Sequence, residues 1–299
     1  MAPLHPITTC LWFDNQAEEA VKFYTGLFED GQVSQITRYG KEGKDIHGMA
    51  EGSVMTMAFE IGGQRFTALN AGPHFTFNPS VSFFIVCETE KELATLWSAL
   101  SERGTVLMPL DKYDWSERYG WVNDRFGLSW QVALGKLEDV GQKITPSLLF
   151  VGDQAGRAEE AIKLYTSVFK DAEVVGILKN TAVDDGVEGT VKHAQFTLNG
   201  QVFMAMDSSL EHDFSFNEAI SFVVNCKTQE EVDYYWEMLS EGGEEGPCGW
   251  LKDRFGLSWQ VVPVMLAEAM RDAGKAEKIT KAFMQMKKLD IKRLEAAIA

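Results

Sequence analysis

The sequence contains an internal repeat, and this repeat limits the accessible folds more than any other feature. Residues 120–132 read Gly-Trp-Val-Asn-Asp-Arg-Phe-Gly-Leu-Ser-Trp-Gln-Val, and residues 249–261 read Gly-Trp-Leu-Lys-Asp-Arg-Phe-Gly-Leu-Ser-Trp-Gln-Val. Segment 17–28 matches segment 158–169 in the same way, because both begin with Ala-Glu-Glu-Ala and continue with similar residues. Such matches, kept in order along both halves, are typical of a chain built from two copies of one domain.

The repeat predicts an α+β fold with two tandem domains. We place these domains at residues 1–137 and 143–264, and a helical tail with apolar stripes at residues 265–299. Within each copy, a short apolar strand, an amphipathic helix and three further strands follow one another, and the same order then returns. Gly-Gly and Asn-Gly pairs between the third and fourth strands favour hairpins. The chain is therefore predicted to contain four βαβββ modules, and the tail is expected to pack on its own chain or on a partner subunit.

The composition excludes several classes of partner. The chain carries a formal net charge of −16, whereas a protein that binds nucleic acid through its phosphates needs a basic stripe. The same charge disfavours an anionic membrane surface. No apolar stretch approaches the ~20 residues of a membrane helix, and the first residues lack the basic and apolar regions of a signal peptide. We therefore expect a cytoplasmic protein with no nucleic-acid or membrane partner.

The cysteines indicate a reduced protein rather than a metal site. The chain has four of them, Cys10, Cys87, Cys226 and Cys248, and their spacing is not that of metal ligands. Cys87 and Cys226 occupy the same strand end in the two copies, which indicates small apolar packing residues.

Both repeats carry residues that resemble a known superfamily. In the first copy these are Trp12-Phe13-Asp14-Asn15-Gln16-Ala17-Glu18-Glu19-Ala20, Phe23-Tyr24, Met108-Pro109-Leu110, Trp115-Ser116-Glu117, Tyr119-Gly120-Trp121-Val122, Asp124-Arg125-Phe126-Gly127 and Ser129-Trp130-Gln131. The chain resembles the vicinal oxygen chelate (glyoxalase/bleomycin-resistance) superfamily, and within it the PhnB-like branch, which is often labelled as a 3-demethylubiquinone methyltransferase domain. The resemblance implies glyoxalase-like domains with curled mixed sheets, a fold that hosts several chemistries.

The resemblance also implies a divalent metal, held by His, Glu or Gln side chains in a cup of curled strands. The first-strand His position falls on Thr9 and, in the second copy, on Pro146. The final-strand Glu position falls on Gln131 and Gln260. An amide is a weak metal ligand on its own, since such cations prefer carboxylate or imidazole donors. None of the histidines is placed to replace these donors: His5, His47, His74, His193 and His212. We therefore predict no metal and no cofactor.

The methyltransferase label is not supported by sequence motifs. Such enzymes generally hold their cofactor on a glycine-rich turn within alternating βα units, and no Gly-x-Gly-x-x-Gly occurs here. No Gly-x-Ser-x-Gly elbow or phosphate-binding loop occurs either. The sequence therefore argues against methyl transfer.

Polar and aromatic residues of the cup strands are the candidates for a ligand site. These candidates are Gln131, Gln260, Thr9, Trp121, Trp250, Asn70 and Asp207. Trp130 and Trp259 precede the two glutamines, so they are predicted to face the opposite, helix-covered side. The Asp-Arg-Phe-Gly segments that begin at Asp124 and Asp253 are interpreted as turns rather than as charged functional pairs.

The sequence is compatible with three functions. The first is a small-molecule binding protein or metal-independent enzyme whose cup is lined by Met55, Met57, Phe66, Met204, Met206 and Phe203. The second is a metal-dependent lyase, isomerase or dioxygenase of the glyoxalase type. The third is a non-catalytic structural or regulatory module with a filled cup. In each case we expect the repeats to pack as an intrachain pseudo-dimer, and the tail to be available for a homodimer.

Overall fold

A computed structural model describes residues 6–41, 44 and 48–299 of the chain. His5 and His47, which were considered as metal donors, lie outside the described residues. Within the described part of the chain, every helix is too short or too polar to cross a membrane.

The helices and strands follow the predicted module order. The first repeat contains β1 (Ile7–Phe13), α1 (Ala17–Leu27), β2 (Gln32–Arg38), β3 (Val54–Ile61), β4 (Gln64–Asn70), β5 (Val81–Cys87), α2 (Glu90–Ser101), β6 (Thr105–Tyr113), β7 (Ser116–Asn123) and β8 (Ser129–Leu134), followed by the short helix α3 (Leu137–Val140). The second repeat contains β9 (Ile144–Phe150), α4 (Ala158–Val168), β10 (Glu173–Lys179), β11 (Val191–Leu198), β12 (Gln201–Asp207), β13 (Ile220–Cys226), α5 (Gln229–Ser240), β14 (Glu244–Glu245), β15 (Trp250–Lys252) and β16 (Ser258–Pro263). The tail forms α6 (Val264–Ala269), α7 (Ala273–Phe283) and α8 (Ile291–Ile298).

Local sequence signals explain where the second helix of each repeat begins. The Thr89 hydroxyl accepts a hydrogen bond from the backbone N–H of Glu92, at 3.2 Å, and caps α2. Thr228 caps α5 in the same way by accepting from the N–H of Glu231, at 3.3 Å. A threonine at this position satisfies a backbone donor that the helix itself leaves unpaired. The same cap in both copies confirms that the repeat sets the local structure.

One element is longer than the sequence pattern predicted. The sequence pattern predicts a strand over residues 105–108 only, whereas in the structure these residues belong to a hairpin in which Thr105–Tyr113 pairs with Ser116–Asn123. The pairing register shifts at several points along this hairpin. Because the shifts interrupt the alternation of apolar and polar residues, the pattern did not reveal the full length of the strands.

The four modules pair across the repeats. One sheet has the order β14-β15-β16-β13-β1-β4-β3-β2, and the other has the order β10-β11-β12-β9-β5-β8-β7-β6. Each sheet therefore joins one module of the first repeat to one module of the second. The joints are antiparallel: Cys10 lies opposite Ser221 between β1 and β13, and Ser82 lies opposite Ser147 between β5 and β9. This shared pairing is the association that we expected for an intrachain pseudo-dimer.

The compact units consequently differ from the sequence repeats. The terminal unit combines the residues up to Thr76 with Asn217–Ala299, and the central unit is Phe77–Phe216. The domains that we predicted at 1–137 and 143–264 follow the repeats, so each of them contributes one module to each unit. Local patterns mark the modules, but they do not show which modules pair.

The core of each unit lies between its sheet and its helices. In the terminal unit, Tyr24 of α1 stacks on Phe59 of β3, with ring centroids 6.3 Å apart, and Phe59 stacks on Phe66 of β4 at 5.3 Å. Trp130 and Trp259 are 1% and 0% exposed, which confirms their predicted place on the helix-covered side. Along every strand, side chains point alternately to this helix-covered face and to the opposite face of the sheet.

The Asp-Arg-Phe-Gly segments form tight turns, as predicted. Asp124 accepts hydrogen bonds from the backbone N–H groups of Phe126 and Leu128, at 2.8 and 3.1 Å, and from the indole N–H of Trp130, at 2.8 Å. Asp253 makes the same three contacts in the second copy. The aspartate therefore sets the turn and also pairs the buried indole donor of the core tryptophan.

The tail packs on the terminal unit. Ile279, Leu289 and Leu294 are fully buried together and pack against Val262 of β16. The tail backbone is also tied to the segment before β15, since the N–H of Cys248 donates to the carbonyl of Met286 at 2.7 Å. Apolar residues of the predicted tail stripes are therefore buried within the chain.

Substituting Gly249 should loosen this attachment. Gly249 has φ +85°, and an added Cβ would lie 2.8 Å from the carbonyl oxygen of Val261 and 3.2 Å from Leu289 Cδ1. Gly200 is a matched control, because its φ is +77° and a Cβ there would meet nothing within 4 Å. Both alanine variants should lose about 1 kcal/mol from backbone strain, and Gly249→Ala about 1–3 kcal/mol more from overlap. Urea unfolding measures both, and equal losses would contradict this account.

Candidate functional site

The candidate functional surface is the sheet face that the helices leave uncovered. We call this the inner face, defined in the terminal unit as the side opposite α1 and α5. Trp259 lies on the helix-covered side and tilts against Phe222, with ring centroids 5.5 Å apart. Because side chains alternate along a strand, the neighbours Ser258 and Gln260 point to the inner face. Trp250 and Lys252 lie opposite Gln260 and Ser258 in the register, so they share that face.

Thr9 does not share this face. It lies opposite Phe66 on β4 and Phe222 on β13, and both rings belong to the helix-covered core. This position corrects the assignment of Thr9 to the cup. Cys10, one residue further on, is the inner-face residue of β1 at this level.

A small polar cluster lies at the middle of the inner face in the terminal unit. The amide nitrogen of Gln260 donates to the hydroxyl of Ser221 at 2.9 Å, and Ser221 lies opposite Cys10. Burial raises the pKa of the Cys10 thiol to about 11, and its contacts with Gln260 and Ser221 only partly oppose this effect. The thiol is therefore protonated at neutral pH, and the cluster is neutral.

The central unit has the corresponding cluster with one addition. Gln131 donates to the Ser82 hydroxyl at 2.8 Å and accepts from the Tyr119 hydroxyl at 2.7 Å. Burial raises the pKa of Tyr119 far above its usual value, so the phenol stays protonated and keeps donating. Beside it, the indole N–H of Trp121 donates to the hydroxyl of Ser129 at 2.8 Å. In this unit, Gln131 is thus hydrogen-bonded to both Ser82 and Tyr119, and Trp121 is hydrogen-bonded to Ser129.

Asn70 and Asp207 hold the first helix of their modules. The side-chain oxygen of Asn70 accepts from the N–H of Ala17 at the start of α1, at 2.9 Å. Asp207 accepts from the N–H groups of Gly156 and Ala158, at 2.8 and 3.1 Å. Burial raises the pKa of Asp207, and the backbone N–H groups that it accepts from oppose this shift. Both residues therefore lie at the ends of their strands and accept hydrogen bonds from backbone N–H groups near the start of a helix.

The apolar residues expected to line the cup divide between the two faces. Met57 lies opposite Ala68, and Phe203 stacks on Phe196, both on the helix-covered side with Phe66. Met55 alternates with Thr56 and so shares the side of Met57. Met204 lies opposite Ser147, and Met206 follows two residues later, so these two residues alone of the six lie on the inner face. A strand pattern with apolar residues on both sides does not reveal which side faces the helices.

The inner faces do not fit the divalent metal that the fold implies. Among the described residues there is no group of three His, Cys, Asp or Glu side chains that could hold a metal ion. The polar clusters at the middle of the inner faces consist of amides, hydroxyls and a protonated thiol, and the amide nitrogens of Gln131 and Gln260 already donate to serines. His212 lies 2.8 Å from the hydroxyl of Ser208, in a loop. Hard or borderline cations need carboxylate or imidazole donors, which this set does not supply.

The terminal unit contains a cavity beside the polar cluster. Its volume is about 370 Å³, within the range of about 300–1,000 Å³ that is usual for ligand sites. The lining residues are Trp12, Phe75, Glu218, Glu244, Gly246, Pro247, Cys248, Trp250, Leu251, Lys252 and Ser258. Of the residues that the sequence analysis proposed for a site, Trp250 lines this cavity and Gln260 lies opposite Trp250 on the neighbouring strand. We call this cavity the Trp250 pocket.

Ser258 makes different contacts from its counterpart in the central unit. Its counterpart Ser129 accepts the indole N–H of Trp121. Ser258 is 0% exposed, and its hydroxyl has no hydrogen-bond partner among the described residues. The Trp250 ring instead lies edge-on against Trp12, with centroids 5.9 Å apart and planes at 75°. A buried hydroxyl without a partner is costly, and such groups in native proteins usually await a water or a ligand.

Sequence reasoning missed most of the Trp250 pocket, although one signal for it was present. The segment from Thr105 to Tyr119 in the first repeat is compressed to Glu244–Cys248 in the second. Cys248 therefore takes the sequence position of Tyr119, but it precedes β15 and has φ +59°, whereas Tyr119 lies within a strand. It carries a thiol in place of a phenol, and it lines the pocket.

Removing the Tyr119 hydroxyl should destabilise the central unit. In Tyr119→Phe the buried carbonyl oxygen of Gln131 loses its donor, which costs about 1–3 kcal/mol of unfolding free energy. Tyr113→Phe is the control, since the Tyr113 hydroxyl donates to the Pro109 carbonyl at an exposed site and its loss should cost about 0.5 kcal/mol or less. Chemical denaturation compares the two variants, and a Tyr119→Phe protein as stable as Tyr113→Phe would contradict the assigned contact.

Solved structures support the fold. Maize glyoxalase I aligns with 88% of this chain and 94% of its own, at 10% identity and a TM-score of 0.54. A candidate dioxygenase from Bacillus subtilis subsp. subtilis str. 168 aligns with 98% of this chain and 95% of its own, at 12% identity and a TM-score of 0.51. At this level of identity the likeness shows a glyoxalase-like fold only.

Sequence similarity shows the family. A candidate 3-demethylubiquinone-9 3-methyltransferase, PhnB protein, from Bacillus cereus is 40% identical over 44% of this chain and 100% of its own, with a TM-score of 0.41. No match was found among curated proteins. The sequence model of the 3-demethylubiquinone-9 3-methyltransferase family matches twice, at residues 5–133 and 142–262. The chain therefore belongs to this PhnB-like family, as a member with two tandem copies of the domain.

Proposed function

We propose that this protein binds a small, largely apolar organic molecule in the Trp250 pocket of the terminal unit. The observation that supports this most directly is the 370 Å³ cavity lined by Ser258, whose fully buried hydroxyl has no hydrogen-bond partner among the described residues. Ligand sites commonly combine apolar walls with a few polar groups that fix the orientation of the ligand. The Trp250 pocket has both components.

The walls supply the affinity in this proposal. Trp12, Phe75 and Trp250 present three aromatic rings to the cavity. Covering apolar surface contributes about 25 cal/mol per Å² removed from water, and aromatic rings are the largest such surfaces in proteins. Ser258 then supplies direction, because a ligand atom that pairs with its hydroxyl removes the penalty of the unpaired group.

Binding is proposed for one unit of the two. In the central unit, Tyr119 pairs with Gln131 and the indole of Trp121 pairs with Ser129. Those contacts leave the corresponding groups satisfied without a ligand. We therefore expect one ligand per chain, while the central unit serves as a structural partner with a filled inner face.

A metal-dependent glyoxalase-type reaction is less well supported than binding. The donors of the polar clusters at Gln131 and Gln260 are amides, hydroxyls and a thiol that burial keeps protonated, and such donors do not hold a hard or borderline cation well. The family description names a methyltransferase, yet no glycine-rich cofactor loop occurs in the sequence. A cytoplasmic location and a homodimer formed through residues 265–299 also remain predictions.

Filling the pocket should abolish binding. N-phenyl-1-naphthylamine, a neutral dye that brightens in apolar surroundings, should bind the wild-type protein with one site per chain. Cys248→Tyr introduces the side chain of the other repeat and should weaken dye binding by at least about tenfold, because the ring occupies the cavity. Cys248→Ser keeps the cavity and should bind as the wild type does.

Fluorescence titration of the three proteins, with thermal unfolding as the check on folding, provides the measurement. Dye binding that is absent from the wild type, or undiminished in a folded Cys248→Tyr protein, would refute the proposed site.

The alkylation rate of the Cys248 thiol should depend on whether the Trp250 pocket holds a ligand. Cys10, Cys87 and Cys226 are buried, whereas Cys248 is half-buried and lines the cavity. Burial raises the pKa of Cys248, so alkylation by iodoacetamide should be slow at pH 7.5 and accelerate as the pH rises and the thiolate forms. Saturating dye should protect this thiol. Mass spectrometry of tryptic peptides identifies the labelled cysteine, and labelling that is indifferent to the dye would count against the site.

A further inference from the structure

The rim of the Trp250 pocket carries an excess of negative charge. The ammonium of Lys252 lies 2.8 Å from a carboxylate oxygen of Glu244 and 3.4 Å from one of Glu218. The hydrogen bond that Lys252 donates to Glu244 raises the pKa of Lys252, against the opposing effect of burial, and Glu218 adds to the rise. Lys252 is therefore charged at neutral pH. Two carboxylates face one ammonium, which leaves one net negative charge at the opening.

The walls are also suited to a positive charge. Trp12 meets Phe75 edge-on, with ring centroids 5.0 Å apart and planes at 83°, and it meets Trp250 at 5.9 Å and 75°. These contacts hold the three rings together as one aromatic cluster that lines the cavity. The face of an aromatic ring carries negative partial charge and attracts ammonium groups.

Ser258 adds a third, independent feature. Its hydroxyl oxygen is buried in the wall, on the same face as Lys252, and has no partner among the described residues. A hydroxyl oxygen offers lone pairs to an N–H donor. Hydrogen bonds that involve an ionised donor are stronger than neutral ones.

We propose that the ligand of the Trp250 pocket is an organic ammonium cation with an apolar body. This inference rests on the proposed function and adds the charge of the ligand to it. The body lies among Trp12, Phe75 and Trp250, and the ammonium group lies within reach of Ser258 and the Glu218 and Glu244 carboxylates. The net charge of −16 on the chain favours the approach of a cation from solution.

Lys252 suggests an alternative, which is an anchor for an anionic ligand. Both of its carboxylate partners would then repel the incoming anion, and the ammonium would have to exchange two existing ion pairs for one. The charges at the rim therefore favour a cation over an anion of the same shape.

Three probes of similar shape and different charge test the proposal: 4-phenylbutylamine, 4-phenylbutan-1-ol and 4-phenylbutyrate. Each is titrated against the bound dye N-phenyl-1-naphthylamine at pH 7.5. We expect the amine to displace the dye at about one tenth of the concentration that the alcohol requires, and the acid to be the weakest. Added salt should reduce the advantage of the amine over the alcohol.

Substitutions at the rim of the pocket distinguish a cationic ligand from an anionic one. Lys252→Met should strengthen amine binding by about threefold, and Glu218→Gln should weaken it by a similar factor. Neither should change the affinity for the alcohol by much. Glu241→Gln is the matched control, because Glu241 pairs with Arg254 on the surface and does not line the pocket.

The outcomes separate this inference from the proposed function. Failure of the dye itself to bind would refute both. Dye binding in which the alcohol or the acid equals or exceeds the amine, or in which none of the three probes displaces the dye, would overturn the charge assignment and leave the binding site standing. Loss of acid binding in Lys252→Met, with no gain for the amine, would identify Lys252 as an anion anchor instead.

Discussion

The structure depends on two antiparallel strand pairs, β1 with β13 and β5 with β9. Each module alone would expose the first of its strands as an edge, with a row of unpaired backbone groups. Pairing with a module of the other repeat buries that edge at the centre of an eight-stranded sheet. The same joint brings Cys10 opposite Ser221 and thereby next to Gln260, so the polar centre of the inner face exists only because two distant modules meet.

Local features of the fold could be predicted because the residues that cause them are close in sequence. Asp124 forms its turn with residues two and four positions later, and Thr89 caps the helix that starts beside it. The choice of partner modules is different in kind. Ser82 and Ser221 are equivalent residues in the two repeats, and each would fit either partner by its local pattern. Only the tertiary assembly distinguishes them, so the predicted domains follow the repeats and the compact units do not.

Predicting which residues of a strand belong to a site requires knowing which face of the sheet each side chain points to. Thr9 and Cys10 are neighbours, yet one lies against Phe66 in the core and the other beside Gln260. A shift of one residue moves every side chain of a strand to the opposite face. Trp130 and Trp259 lie on the side opposite their neighbouring glutamines, because they pack in the core with their indole N–H groups donated to Asp124 and Asp253. Thr9, small and amphipathic, gives no such constraint.

The two copies of the Gly-Trp and Ser-Trp-Gln motif show that identical residues need not make identical contacts. Trp121 donates to Ser129, whereas Trp250 packs edge-on against Trp12, and the Ser258 hydroxyl has no partner in the described part of the chain. The motif is the same, so the difference arises from its surroundings: a long hairpin and Tyr119 in one copy, a short connection, Cys248 and the tail in the other. The copy with the short connection has a two-residue β14 and a three-residue β15 in place of the long hairpin, and its Cys248 and Trp250 line the cavity. Duplication therefore lets the surroundings of one motif change while the same motif in the other copy keeps its contacts.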